Sequence, residues 1–154
     1  MSASSRLIEI PSPVSGKLCT DTHKSAMYQA LFEGSVILNV TGSQLFAPFD
    51  GYLSHIDKLN YSLRFTCSNG LQFWFRIGEE AGSLHAQGCD VAHAVGKKVK
   101  KGTQLMQFNP TLLKQGGTLT AMIIVVNGAK LKRIDIKKAR QYLALEDSLF
   151  TLEI

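Results

Sequence analysis

Alternation of apolar and polar positions is the dominant signal in this chain. Leu71, Phe73, Phe75 and Ile77 fall on one face of an extended segment, and Gln72, Trp74 and Arg76 fall on the other. Asn60–Cys67 precedes it, rich in aromatic and aliphatic residues, and Ser68-Asn69-Gly70 supplies turn chemistry between the two. The pattern predicts a hairpin with Phe73 and Phe75 in the core and the only tryptophan beside an arginine on the opposite face. Shorter runs of strand character flank it at Leu7–Ile10, Lys17–Thr20, Ser35–Val40, Tyr52–Ile56, Thr103–Asn109 and Leu149–Ile154. Val91–Val95 reads as a brief pairing segment. Thr118–Val126 is the most apolar run and is expected to be a strand buried on both faces, with Ile123 and Val125 in the core.

The connections are rich in Gly, Pro and Asn. Pro11-Ser12-Pro13, Thr41-Gly42-Ser43, Asp50-Gly51 and Asn127-Gly128 read as turns, and Gly96 and Gly102 bracket Lys-Lys-Val-Lys-Lys around a buried valine. Asp21–Ala30 reads as a loop or a single helical turn, and Gly78–Gly88 as a loop. Pro110–Gln115 is expected to form a short helix after Asn109, and Ile134–Ala144 a second helix. Many short strands separated by turns imply an all-β fold, an antiparallel β-sandwich or barrel with short helical turns.

Composition narrows this picture only slightly. The 154 residues suit a single domain over 1–154, with Met1–Ser5 expected to be disordered. No apolar run is long enough to span a bilayer, and the N-terminus shows no signal-peptide pattern, so a cytoplasmic location is expected. Cys19, Cys67 and Cys89 are widely spaced and odd in number, which speaks against a disulfide frame or a zinc site; no metal and no cofactor are expected. The net charge of +5 is mild, and its lysine clusters are not interleaved with aromatics, so no nucleic-acid partner is expected.

Several blocks, taken in order, carry a resemblance. SPVSGKL (12–18), TGSQLFAPFDGYLSHI (41–56), Asn60, FWFRIG (73–78), GKKVKKGTQLMQFNPTLL (96–113) and TLTAMIIVVN (118–127) are similar to successive segments of one family. That family is the glucose-type enzyme IIA domain of the bacterial phosphoenolpyruvate:sugar phosphotransferase system, and the resemblance runs from Pro11 to about Ile134. It implies a duplicated hybrid-motif β-sandwich.

It also implies two active-site histidines, one after the asparagine and one two residues before the strand-ending glycine. Tyr61 and Arg76 stand at those places. The threonine that orients the second histidine falls at Leu59, and the aspartate after the strand falls at Glu80. A phenol with a pKa of about 10 is a poor nucleophile at neutral pH, and a guanidinium is always protonated. The family's docking surface is altered as well, with polar residues near His23-Lys24-Ser25-Ala26 and a charge at Asp57.

The reading is therefore an enzyme IIA homologue without its phosphorelay histidines, leaning against enzyme activity. It would act as a non-phosphorylated regulatory or protein-binding module linked to sugar uptake, with another cytoplasmic protein as partner. Its partner-binding face would comprise Asp57, Lys58, Tyr61, Trp74, Arg76 and Glu79, with Tyr61 and Arg76 facing each other across a shallow depression. One alternative is an active phosphocarrier using another acceptor, such as His85 or Tyr61. Another is a biotinyl- or lipoyl-like carrier domain, which needs a lysine at a hairpin tip where Ser68-Asn69-Gly70 has none.

Overall fold

A computed structural model of the chain describes residues 7–18, 34–58, 61–78, 90–91, 93–110, 119–126, 131, 133–137 and 139–153. Every element named among them is a strand: β1 (Leu7–Pro11), β2 (Gly16–Leu18), β3 (Gly34–Val40), β4 (Gln44–Phe46), β5 (Gly51–Asp57), β6 (Ser62–Cys67), β7 (Gln72–Ile77), β8 (Lys98–Val99), β9 (Gln104–Gln107), β10 (Thr120–Val125), β11 (Arg133–Ile136), β12 (Gln141–Tyr142) and β13 (Ser148–Glu153). All pairings are antiparallel. The large sheet runs β12-β2-β3-β10-β7-β6-β5-β8, a smaller one runs β1-β13-β11, and β4 pairs with β9. The fold is an antiparallel β-sandwich.

The central hairpin forms as its alternation requires. Leu71, Phe73, Phe75 and Ile77 are buried, while Gln72 is exposed and Trp74 and Arg76 are half-buried. A one-residue slip would turn all four apolar side chains outward, so burial fixes the register. Phe73 opposes Phe65, and Phe75 opposes Leu63, all inward. At the turn, Asn69 Oδ1 accepts from Leu71 N at 3.1 Å, and Gly70 takes φ +93°, a conformation that glycine adopts without strain.

The hairpin faces the small sheet. Phe73 stacks on Phe75 with ring centroids 5.8 Å apart, and meets Phe150 of β13 at 6.5 Å. Ile10 and Leu152 complete that wall, and Leu45, Leu105 and Met106 join the same core. Burial of each such side chain contributes about 1.5–3 kcal/mol. β10 is buried at every position. Ile123 and Val125 enter the main core, and Met122 and Ile124 are buried on the other face of the sheet.

Two expectations are corrected. Ile134–Ala144 is not a helix: β11 pairs with β13, and β12 pairs with β2. Alternation in Arg-Ile-Asp-Ile puts Ile134 and Ile136 against the core, and Tyr142 is fully buried, which a sheet register satisfies and a helical one does not. Among the described residues of Val91–Val95 there is no strand; instead Asp90 bridges Gln107. Met1–Ser5 and Asp21–Ala30 lie outside the described residues, as does Pro110–Gln115 apart from Pro110, and only Gly78 is described in Gly78–Gly88.

Candidate functional site

The outer face of β5-β6-β7 is built from cross-strand rows. Asp57, Ser62 and Arg76 form one row, His55, Arg64 and Trp74 the next, and Tyr52, Thr66 and Gln72 the third. The Trp74 indole Nε1 donates to Ser62 Oγ, tying the first two rows together diagonally. Ser62 is buried, which makes this a shielded polar contact.

Tyr61 does not sit where the sequence places it. Its ring is fully buried and belongs to the main hydrophobic core. The backbone takes φ +51°, a left-handed conformation uncommon for an aromatic residue. Two hydrogen bonds hold it there: Tyr61 N donates to Lys58 O at 3.2 Å, and Ile77 N donates to Tyr61 O at 3.0 Å. Ser62, not Tyr61, is the residue opposite Arg76. The expectation of an open depression between Tyr61 and Arg76 is thus corrected, and Tyr61 offers no accessible side chain to a partner-binding face. The physical reason is area: an aromatic ring buries 150–250 Å², and the left-handed turn delivers that ring to the core.

The structure does bring Asp57, Ser62, Trp74 and Arg76 together on the outer face, and Lys58 is exposed at the end of β5. Leu59, Glu79, Glu80, His23 and His85 lie outside the described residues.

One feature of the face was missed by sequence reasoning. The register of β5 shifts between Leu53 and His55, a β-bulge at Ser54. Leu53 is buried and Ile56 packs on the same core, three residues apart where strict alternation allows two. Ser54 and His55 are consequently both exposed. The bulge borders a depression of about 530 Å³ lined by Tyr52, Ser54, His55, Arg64, Thr66, Gln72 and Phe73. The spacing of Leu53 and Ile56 was the available signal.

Residues 8–131 match the family described as phosphoenolpyruvate-dependent sugar phosphotransferase system, EIIA 1. The chain belongs to this family. Among relatives of this sugar-phosphotransferase family member, the glucose-specific EIIA component of Haemophilus influenzae is 21% identical over 148 residues, covering 95% of this chain and 89% of that protein. The glucose-specific EIIA component of Borreliella burgdorferi is 20% identical over 96% of this chain and 82% of that protein. A lactose permease of Lactobacillus helveticus is 27% identical over 84 residues, 54% of this chain but only 13% of the permease. The solved glucose permease IIA of Mycoplasma capricolum superposes with a TM-score of 0.75 at 17% identity, covering 95% of this chain and 96% of that one, a likeness of fold. Among the described residues, no helix is long and apolar enough to cross a membrane.

Proposed function

We propose that this enzyme IIA family member has lost the phosphorelay and acts as a non-phosphorylated, protein-binding regulator of sugar uptake. The observation that carries this reading is the pair of residues at the places the resemblance assigns to the active histidines. Arg76 is a permanent cation and cannot act as a nucleophile. Tyr61 is fully buried, so its phenol is withdrawn from any phosphoryl donor in solution. Transfer along such a relay needs an accessible neutral imidazole in line with the donor. Buried Tyr61 also weighs against the alternative in which tyrosine serves as a substitute acceptor.

What remains is a surface suited to a protein partner. Trp74 and Arg76 are the residue types enriched at interface hot spots, and both are half-buried on one face with Asp57, next to exposed Lys58. Glu79 is proposed as part of the same face. The link to sugar uptake rests on what its relatives are, glucose-specific EIIA components and a lactose permease. A single domain over residues 1–154 in the cytoplasm is part of this proposal.

Phosphoryl acceptance tests it. Purified protein is incubated with labelled phosphoenolpyruvate, enzyme I and the phosphocarrier HPr, with a histidine-bearing glucose-type enzyme IIA as control. No acid-labile label is expected on this chain, and label arriving at the control's rate would overturn the reading. The triple variant Leu59→Thr, Tyr61→His, Arg76→His, checked for folding by circular dichroism, is expected to regain some label. Its silence while folded would place the block in the docking surface instead of the acceptor.

A further inference from the structure

The depression beside the Ser54 bulge is separate from the positions of Tyr61 and Arg76, and its chemistry is different. Arg64 and His55 are direct cross-strand partners, and both are exposed. Around them the lining is hydrogen-bonding: the hydroxyls of Tyr52, Ser54 and Thr66 and the amide of Gln72. Among the described residues, no carboxylate lines it. A second depression of about 440 Å³ adjoins the first and shares Tyr52 and Thr66 with it. It carries Lys98, which β8 places opposite Tyr52 on the same side of the sheet. Its single acid, Asp50, already accepts a hydrogen bond from the Lys101 backbone N at 2.8 Å.

We infer that this groove is a non-covalent binding site for a small oxyanion-bearing solute, a phosphate or carboxylate compound. Arg64 is its anchor, and Tyr52, Ser54, His55 and Thr66 hold the remaining oxygens. A guanidinium presents a planar fork that takes two oxygens of a carboxylate or phosphate at once. An anion lodged between the directly opposed Arg64 and His55 can also accept a hydrogen bond from an imidazole N–H. The bulge is what makes this possible, because it turns two consecutive β5 side chains onto one surface. The volume is within the usual range for small-ligand sites, about 300–1,000 Å³.

Backbone amide NMR tests the site, with inorganic phosphate and citrate as separate probes against sodium chloride at matched ionic strength. Saturable shifts are expected at Ser54, His55, Arg64, Thr66 and Gln72 for at least one probe. Which probe saturates first tells phosphate from carboxylate recognition. Arg64→Ala is expected to weaken binding by about tenfold or more, a loss of the size that removing a charge-assisted, two-point contact produces. Arg64→Lys keeps the charge and the fold but loses the fork, and is expected to weaken binding as well. Arg133→Ala, an exposed cation on β11 outside the groove, is expected to leave it unchanged. The proposal is overturned by unsaturable shifts spread over the lysines of 97–101, by saturation centred on Lys58 and Arg76, or by undiminished affinity in both Arg64 variants. None of these outcomes bears on phosphoryl acceptance, so the two proposals stand or fall apart.

Discussion

The indole of Trp74 donates to Ser62 Oγ from a half-buried position, on the face that Arg76 shares. Ser62→Ala removes the acceptor and leaves the indole N–H to find water. The expected cost is about 1 kcal/mol, the net worth of one such hydrogen bond. Trp74 is the only tryptophan, so its emission reports the change directly. A red shift in the native state is expected, together with a lower urea midpoint, and an unchanged spectrum would show that the contact does not persist in solution. Cys67 makes a second residue-scale case. It is buried, and burial pushes its thiol from 9.0 up to about 12. Below pH 9 the thiol is protonated in the folded and unfolded chain alike. Between about 9 and about 12 the unfolded chain loses the proton and the native one keeps it, so stability falls as pH rises through that window. With Cys19 and Cys89 replaced by serine, Cys67 is expected to resist alkylation at neutral pH until the protein unfolds. Rapid labelling of native protein would contradict its burial.

At the scale of elements, β5 and β6 come very close together at Gly51. A Cβ at Gly51 would lie 2.1 Å from Thr66 O and 2.9 Å from the Cys67 Cα, so β5 and β6 can pair at Gly51 and Cys67 only because position 51 has no side chain. Gly51→Ala is expected to cost at least about 2 kcal/mol by urea unfolding, since backbone must move to admit the methyl group. A neutral result would mean that the strands separate there easily. In the sequence, Asp50-Gly51 was legible as a turn but not as a close approach, because nothing local reveals which strand comes alongside. The same limit explains the other misses. The face of β7 was readable from Leu71 to Ile77 because a period of two speaks for itself. β11 and β12 were not readable as strands, because each is short and gains its meaning from β13 and β2, distant partners in sequence. Tyr61 was placed correctly next to the hairpin but on the wrong side, since the left-handed turn that reverses its side chain has no glycine or asparagine at that position to announce it. The bulge at Ser54 left a faint trace in the spacing of Leu53 and Ile56, and with it the groove around Arg64 was missed.

For the whole molecule, the decisive contacts are those between the sheets. Phe150 of β13 reaches Phe73 of β7, and β13 is the middle strand of the three-stranded sheet, with β1 on one side and β11 on the other. The small sheet therefore has little apolar surface of its own to bury apart from the large one, and the two are expected to unfold together. Two probes report on this. Trp74 emission reads the large sheet, and far-ultraviolet circular dichroism reads all strands. Their urea transitions are expected to coincide in the unaltered protein, as for one cooperative unit. Phe150→Ala deletes the ring at the junction, where collapse to fill the space is hindered by walls on both sides. The expected loss is about 3–5 kcal/mol, in the range measured for buried aromatic truncations. Both transitions should then move to lower urea by the same amount, because weakening the junction destabilises a single folded state. If the circular dichroism transition moves while Trp74 emission stays in place, the small sheet is an independently melting layer, and the proposed single domain over residues 1–154 is wrong.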